Sequence, residues 1–381
     1  MEKLKIGILG AGQLGRMIMM EALKWDIDLY FLDEEPDMPA GRISNNFEKG
    51  SFKNYDDVLR FGTQLDVLGI EIEHVNTDAL RTLKSMGKRI IPDPDLLDII
   101  KDKGLQKQFY LNHDLPTLPA LFYNEKAELI QSIKSGELSL PFVQKSRTAG
   151  YDGKGVIILR HEKDFELLLD GPCIIEPLVD LDKELAITVA RNEKGEVKTY
   201  PVVEMLFNPA ANLVENLRCP ANVDESVLVK MEILALKTIE TFNITGLLAI
   251  ECFLDKNGHI YINEVAPRTH NSGHHTIEAC YTSQFEQHLR ILMDVSLGDT
   301  SLRQPAMMIN LLGAPGHEGV PYYQGLDKVL ELDNTYVHIY GKKKTKPFRK
   351  MGHVTLLGED MYALDKKSGF VQSTLKVITN G

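Results

Sequence analysis

Residues 246–279 of the chain are GLLAIECFLDKNGHIYINEVAPRTHNSGHHTIEA. Residues 247–254 and 259–265 are apolar-rich runs joined by Asp255-Lys256-Asn257-Gly258, the make-up of a β-hairpin and its turn. Each run carries a carboxylate where an apolar side chain would pack without penalty: Glu251 in the first, Glu264 in the second, with Asn263 beside it. A buried, unpaired carboxylate is costly, so two on adjacent strands point to a bound cation or a polar cleft. Oxygen-only ligands of this kind suit Mg2+, which takes a few carboxylates and completes its shell with phosphate oxygens and water. Pro267-Arg268-Thr269-His270-Asn271-Ser272-Gly273-His274-His275 follows at once and is dense in anion-binding side chains. A solvated hairpin with ordinary surface charge is the bland alternative. The closeness of the acidic pair to the polar cluster disfavours it.

Around this hairpin the chain has 381 residues, a length for two to three domains that each bury a core. Hydrophobic residues make up 43% and charged residues 25%, the composition of a water-soluble globular protein. The net charge is −11 and no basic run exceeds Lys342-Lys343-Lys344, which argues against nucleic acid as a partner. Cys173, Cys219, Cys252 and Cys280 lie far apart and form no C-x-x-C pair, so reduced thiols are expected. No apolar leader precedes the first strand pattern and no apolar run approaches a membrane span. A cytoplasmic protein without membrane contact is the expectation.

Towards the N-terminus, residues 3–9 read as a buried strand, followed by Gly10-Ala11-Gly12-Gln13-Leu14-Gly15, a helix pattern over 16–24 and a second strand over 27–32 ending at Asp33. That is G-x-G-x-x-G between strand and helix with an acid downstream, the dinucleotide fingerprint. Its physical content is narrower: close backbone approach and helix N–H groups aimed at an anion, which another phosphorylated ligand or tight packing alone would satisfy. A third strand (67–72) ends in Glu71-Ile72-Glu73-His74, at the edge where open α/β sheets place ligands. After 89–91, Pro92-Asp93-Pro94 opens a helix expected over 95–112, and a domain boundary is placed there.

The middle of the chain changes character. A strand at 141–145 leads into Ser146-Arg147-Thr148-Ala149-Gly150-Tyr151-Asp152-Gly153-Lys154-Gly155 and a strand at 156–159. A glycine-rich loop between strands lacks the G-K-[ST] signature and helix of a Walker loop; it resembles a flap over phosphates, with a plain hairpin turn as the alternative. Strands follow at 173–176, 184–190 and 197–203, then an amphipathic helix over 224–242. Lys145, Glu176, Glu184, Glu251 and Glu264 form a set able to grip a nucleotide and its metal, although single charges on strands are mostly just exposed.

RTAGYDGKG (147–155), IIEPLVDLDKELAITVAR (174–191), the hairpin with APRTHNSGHHT (266–276) and KKKTKPFRKMGHVTLLG (342–358) together resemble the ATP-grasp enzymes. Within these they are similar to the 5-(carboxyamino)imidazole ribonucleotide synthase family, over nearly the whole chain from GAGQLGRM (10–17) to Gly352-His353. The resemblance implies an α/β and α+β fold in three parts. These are a Rossmann-like pre-ATP-grasp domain without a dinucleotide (1–93), an ATP-grasp domain (94–298, with a flap subdomain at about 115–190) and a small β-rich C-terminal domain (299–381). It also implies a homodimer.

Carried over residue by residue, the resemblance places Lys103 and Lys145 on the ATP phosphates, with Gly150, Tyr151, Asp152, Gly153, Lys154, Gly155 and Val156 as the loop above them. Glu176, Pro177, Leu178 and Val179 form the adenine hinge and Glu184 takes the ribose. Glu251 and Glu264 hold Mg2+, two ions being expected, with Asn263 nearby. Tyr151, Asp152, Arg268, His270, Asn271 and Ser272 face aminoimidazole ribonucleotide and the co-substrate bicarbonate, and Lys342 with Arg349 binds the ribonucleotide phosphate. Gln13, Leu14 and Glu71 match positions at which a related transformylase grips its ribonucleotide. Lys103 stands where arginine is frequent, Ala149 replaces a glycine, Thr269 replaces a proline, and residues 207–213 do not match the family's pattern.

The implied reaction makes carboxyphosphate from bicarbonate and ATP and carboxylates the 5-amino group of the ribonucleotide in purine biosynthesis. Which group accepts the amine proton, His270 or Asp152, stays open. Rival readings are a nicotinamide dehydrogenase using the N-terminal glycines and a zinc site on His270, His274 and His275, where Asn271-Ser272-Gly273 breaks the helix an i, i+4 pair needs. A non-enzymatic binding protein and a formate-using glycinamide ribonucleotide transformylase complete the set.

Overall fold

Ile6–Leu9, Leu29–Asp33 and Val67–Ile70 are almost wholly buried apolar runs, the signature of parallel strands covered on both faces. The computed structural model describes residues 4–148, 155–208 and 213–379. In it these strands form the centre of a five-stranded parallel sheet, flanked by Asn46–Lys49 beside Leu29–Asp33 and by Arg89–Ile90 beside Val67–Ile70. On one face Phe61, Leu80 and Leu83 pack on Leu9, Leu32 and Ile70. The other face is closed by the helix Gln13–Lys24 and also by Gln284–Leu292, whose Phe285, Leu289 and Leu292 share a core with Ile8, Met17 and Phe31. The N-terminal sheet is thus completed by a helix from far along the chain.

The single helix expected over 95–112 is two helices, Pro94–Lys101 and Lys103–Asn112. Asp102 between them has extended backbone, φ −108° and ψ 110°, and its Oδ1 accepts from the N–H groups of Gly104 at 2.7 Å and Leu105 at 3.1 Å. An N-cap of this kind satisfies donors that the continuing helix would have used, so the chain restarts there. Apolar periodicity carries through because both helices bury a face: Leu97 and Ile100 in the first, Tyr110 in the second.

Two larger sheets and a two-stranded one follow among the described residues. Leu121–Tyr123, Cys173–Pro177, Phe142–Ser146 and Val156–Leu159 form a four-stranded antiparallel sheet with a small core of Leu129, Phe142, Leu159, Leu168 and Ile175. The large sheet has nine strands. Ile260–Ala266, Gly246–Asp255, Leu181–Arg191, Val203–Asn208 and Leu213–Cys219 run on without interruption into Ala306–Leu312, Lys350–Leu357 and Thr335–Ile339. The helix Glu225–Phe242 covers one face, with Met231, Leu234, Ile239 and Phe242 against Ile187, Val189, Leu248 and Ile250.

The strand expected over 197–203 is split into Val197–Thr199 and Val203–Asn208, which pair with opposite ends of Leu181–Arg191. Between them Pro201 offers no N–H to a ladder, and the buried Tyr200 donates its hydroxyl to the Thr282 carbonyl at 3.1 Å. The C-terminal part is β-rich as expected, yet its main strands extend the central sheet. Among the described residues Pro321–Gln324 and Lys376–Thr379 pair separately, and the helix Met361–Thr374 packs through Leu364 and Val371 on Ala306–Leu312 and Lys350–Leu357. Among the described residues no helix is long and apolar enough to cross a membrane.

Candidate active site

The opening hairpin forms as expected, Gly246–Asp255 against Ile260–Ala266. Asp255 tightens its turn: Oδ1 accepts from the N–H groups of Asn257 at 2.9 Å and His259 at 2.8 Å, and Gly258 takes the left-handed φ of 80°. Glu251 and Glu264 are direct cross-strand partners, and Cys252 pairs with Ile262, so Asn263 is the extra residue of a bulge. In a regular strand Asn263 and Glu264 would point to opposite faces. The bulge turns both to one cleft, where Asn263 Oδ1 accepts from Lys145 Nζ at 2.7 Å and Glu264 is ion-paired with Lys103.

Burial, then the charges of Glu264 and Glu184, pushes the Glu251 carboxyl well above the usual range. Glu264 is held low, chiefly by Lys103. Burial alone would weaken the Lys103 ammonium, but Glu264, with Glu251 and Glu176 beyond it, holds its pKa above the ordinary lysine value. An opposed carboxylate pair, one of them without a cationic partner of its own, fits a divalent cation. Among the described residues no three acidic, histidine or cysteine side chains gather into a metal site. A Mg2+ held by Glu251 and Glu264 would therefore draw its remaining ligands from phosphate oxygens and water.

Behind this pair lies a ladder of charges. Glu176 is buried between two lysines, with Lys145 Nζ 2.7 Å and Lys107 Nζ 2.5 Å from its carboxylate oxygens. Burial opposes its ionisation, and the two ammonium groups outweigh that and lower its pKa. Lys107 is absent from the residues singled out above, although its place one helical turn after Lys103 was a legible signal. From Glu176 the chain passes to the exposed Pro177 and the half-buried Leu178 and Val179. Glu184 faces the same cleft, its pKa raised to about 7 by burial, with Lys145 opposing and Glu264 adding to the rise. Gly150, Tyr151, Asp152, Gly153 and Lys154 lie outside the described residues. Gly155 accepts from the Ser146 N–H at 2.8 Å, and Val156 pairs with Lys145.

The loop after the hairpin is held from three sides. Arg268 Nε donates to Glu73 Oε2 at 2.5 Å and its Nη1 to the Thr269 carbonyl at 3.0 Å. Gln284 clamps the backbone of His270, accepting from its N–H at 2.9 Å and donating to its carbonyl at 2.7 Å. A Cβ on Gly273 would stand 2.5 Å from the Gln284 amide oxygen, so glycine is needed there. Asn271 and Asn310 exchange reciprocal amide hydrogen bonds of 2.9 Å, tying the loop to the strand Ala306–Leu312. His270 Nδ1 accepts from the Ser272 N–H at 3.3 Å and lies 2.9 Å from Ser272 Oγ, which leaves the ring proton on Nε2, 3.6 Å from Glu251 Oε1. Burial, then Arg268, lowers the His270 pKa to about 3, so the ring is neutral. His274 lies against the Gln284 amide at 3.4 Å and His275 is buried elsewhere in the core, so the three histidines do not assemble a zinc site. Gln284 and Asn310 carry no sequence signal beyond their polarity, and Glu73, legible at the end of its strand, shows nothing there of its partner Arg268, since partners so distant in the chain are set by the fold.

The N-terminal glycine turn is already occupied by an acidic side chain of the chain itself. Glu71 accepts from the Gly12 and Gly15 N–H groups, both at 2.5 Å, at the start of the helix Gln13–Lys24. A Cβ on Gly12 would stand 2.5 Å from Glu71 Oε1, so the glycine makes room for this carboxylate. Asp33, the acid of the fingerprint, accepts from the Ala11 N–H at 2.7 Å. The dinucleotide reading loses its site, because the helix N-terminus is filled from within. Gln13 is half-buried at the head of that helix and Leu14 is buried. In the C-terminal part, Lys342 Nζ donates to the Lys350 carbonyl at 2.7 Å and Arg349 Nη1 to the Lys344 carbonyl at 2.8 Å. Both therefore stand at one end of the paired strands Thr335–Ile339 and Lys350–Leu357.

Three family models tile the chain: a ribonucleotide synthetase preATP-grasp domain over residues 3–101, an ATP-grasp domain over 108–285 and a phosphoribosylaminoimidazole carboxylase C-terminal domain over 306–367. The N5-carboxyaminoimidazole ribonucleotide synthase of Bacillus subtilis is 34% identical over 357 residues, which span 92% of this chain and 91% of that protein. The chain belongs to the N5-carboxyaminoimidazole ribonucleotide synthase family. It is an ATP-grasp ligase, and the dehydrogenase, zinc-protein and non-enzymatic readings fall away. The phosphoribosylaminoimidazole carboxylase of Saccharomyces cerevisiae is 34% identical, but there the match takes in 97% of this chain and 66% of the longer protein. Among solved structures, the Thermotoga maritima synthetase superposes with a TM-score of 0.90 at 39% identity, covering 99% of this chain and 100% of that one. The Aspergillus clavatus synthase in complex with ADP and 5-aminoimidazole ribonucleotide gives 0.86 at 32%, covering 97% of each. The three-part architecture expected from the sequence is that of these synthetases.

Proposed function

We propose that this chain carboxylates the 5-amino group of 5-aminoimidazole ribonucleotide with bicarbonate and ATP, giving the N5-carboxy product, ADP and phosphate in purine biosynthesis. The observation that carries the reading is the convergence of Glu251, Glu264, Lys103, Lys145 and Glu184 on one cleft, with Arg268 and a neutral His270 on the loop beside it. Lys103 and Lys145 neutralise phosphate oxygens in this reading as a bicarbonate oxygen bonds to the terminal phosphorus and ADP leaves. Glu251 and Glu264 would hold Mg2+, two ions being proposed, and the metal would supply neutralisation of phosphate charge. Carboxyphosphate is short-lived in water, so the polar groups around it must be preplaced. Glu73 and Gln284 do this by fixing Arg268 and the His270 backbone. The amine nitrogen then bonds to the carboxyl carbon, phosphate leaves and an amine proton is lost. With so low a pKa His270 is a poor proton acceptor; its Nε2–H is a donor to the carboxyl oxygens. The proposal extends, by family likeness, to a cytoplasmic homodimer.

Phosphate release from ATP tests the reading, measured with aminoimidazole ribonucleotide plus bicarbonate and, separately, with glycinamide ribonucleotide plus formate. Turnover is expected only with the first pair. Turnover with formate and glycinamide ribonucleotide overturns the assignment in favour of a transformylase.

A further inference from the structure

Lys103 and Lys145, the two lysines of the proposed nucleotide site, belong to different layers. Lys103 opens the helix Lys103–Asn112, while Lys145 is carried by Phe142–Ser146 in the four-stranded sheet. Besides the buried Glu176, an ion pair joins those elements beside both lysines. Arg147, two residues after Lys145, makes a two-pronged ion pair with Asp102, the residue before Lys103. Its Nε is 2.8 Å from Oδ1 and its Nη2 2.7 Å from Oδ2. The Lys103 N–H also donates to the Arg147 carbonyl at 2.9 Å, so backbone and side chain of Arg147 hold the same helix start. Arg147 is itself anchored, its N–H donating to the Pro172 carbonyl at 3.1 Å.

The helix start is shaped around this guanidinium. Asp102 caps the helix with the same Oδ1 that receives Arg147 Nε, and a Cβ on Gly104 would stand 2.4 Å from that Nε. An ordinary surface ion pair needs neither a shared capping oxygen nor a missing side chain. We propose that Asp102 and Arg147 are positioning residues that set Lys103 and Lys145 at the spacing ATP requires, with Gly104 conserving the room for the clamp. The proposal rests on the ATP chemistry above. A planar fork matters here because a lysine could hold the charge but not the angle between helix and strand.

The experiment uses the full chain and three variants: Asp102→Asn, Arg147→Lys and Gly104→Ala, the last of which keeps both charges. Calorimetry gives Kd for a non-hydrolysable ATP analogue, and steady-state kinetics give KM for ATP and for the ribonucleotide. Each variant is expected to weaken the analogue by about tenfold or more, the scale of one charge-assisted hydrogen bond. The ribonucleotide KM should stay within about twofold, a split that general loss of folded protein does not produce. Asp102→Asn combined with Arg147→Lys should be no worse than the weaker-binding single variant, because the two act as one unit. If Asp102→Asn and Gly104→Ala bind the analogue like wild type, the positioning role is wrong. If in that case Arg147→Lys alone loses affinity, Arg147 touches the nucleotide directly. Should wild type bind no analogue at all, the ATP reading itself fails and this proposal with it.

Discussion

Glu184 shows at the scale of one residue how burial and function oppose each other. Its carboxyl is raised from 4.5 to about 7, by burial and then by Glu264 against the pull of Lys145. Between those values the folded chain holds a proton that the unfolded chain has lost. This group's contribution to stability is therefore fully present below pH 4.5 and disappears as pH rises through about 7. Glu184→Gln removes the titration, so its stability relative to wild type should improve from pH 5 to pH 8, read as urea midpoints at the two pH values. The same variant should bind ATP more weakly, because a neutral amide is a poorer acceptor for ribose hydroxyls than a carboxylate. A relative stability that is flat with pH would mean that Glu184 titrates normally. The sequence singles Glu184 out as a nucleotide-site candidate but says nothing of its raised pKa, which burial in the fold creates. Glu251 and Glu264 were legible as a pair because both interrupt apolar runs, but which of them carries the raised pKa depends on Lys103, a contact across 161 positions.

Elements turn such residues into a site by small departures from regularity. The hairpin could be read from its two apolar runs and its Asp-Lys-Asn-Gly turn, whereas the bulge at Asn263 could not, since nothing in the run of residue types marks the extra residue. The break at Asp102 was missed for a related reason: an aspartate inside an apolar period reads as a solvent-facing helical residue until its capping bonds are seen. The lysine-bearing helix and the four-stranded sheet meet at Glu176, sandwiched by Lys107 and Lys145. Glu176→Gln leaves two buried ammonium groups facing a neutral amide, so we expect a loss of about 3 kcal/mol or more in stability, seen by chemical denaturation. Affinity for the ATP analogue should fall with it, because Lys145 loses one of the partners that orient it. Lys107→Met should cost less than Glu176→Gln, since Lys145 still compensates the carboxylate. The reverse order would show that Lys107 does more than balance Glu176.

Across the whole molecule the three-part reading of the sequence describes functions better than it describes sheets. That residues 299–381 are β-rich is implied by the family resemblance, and Thr335–Ile339 and Lys350–Leu357 are strands there, but the resemblance says nothing of which edge a strand joins. In the fold Ala306–Leu312 pairs with Leu213–Cys219 and continues the central sheet, and Asn310 reaches from it to Asn271 in the loop beside the acidic pair. The C-terminal part accordingly has two separable effects. Arg349→Ala is expected to raise the KM for the ribonucleotide by the equivalent of about 1.5–3 kcal/mol, a charged hydrogen bond to its phosphate, with KM for ATP unchanged. If ATP weakens instead, the phosphate assignment is wrong. Removing the part altogether is a different matter. A chain ending at residue 305 would leave Leu213–Cys219 as an unpaired edge beside the exposed apolar core of Leu217 and Met205, and would free Asn271. We expect that truncated chain to aggregate or to lose cooperative unfolding and analogue binding together. A soluble 1–305 chain that still binds the ATP analogue as the full chain does would show that the ATP cleft stands without the strands that prolong its sheet.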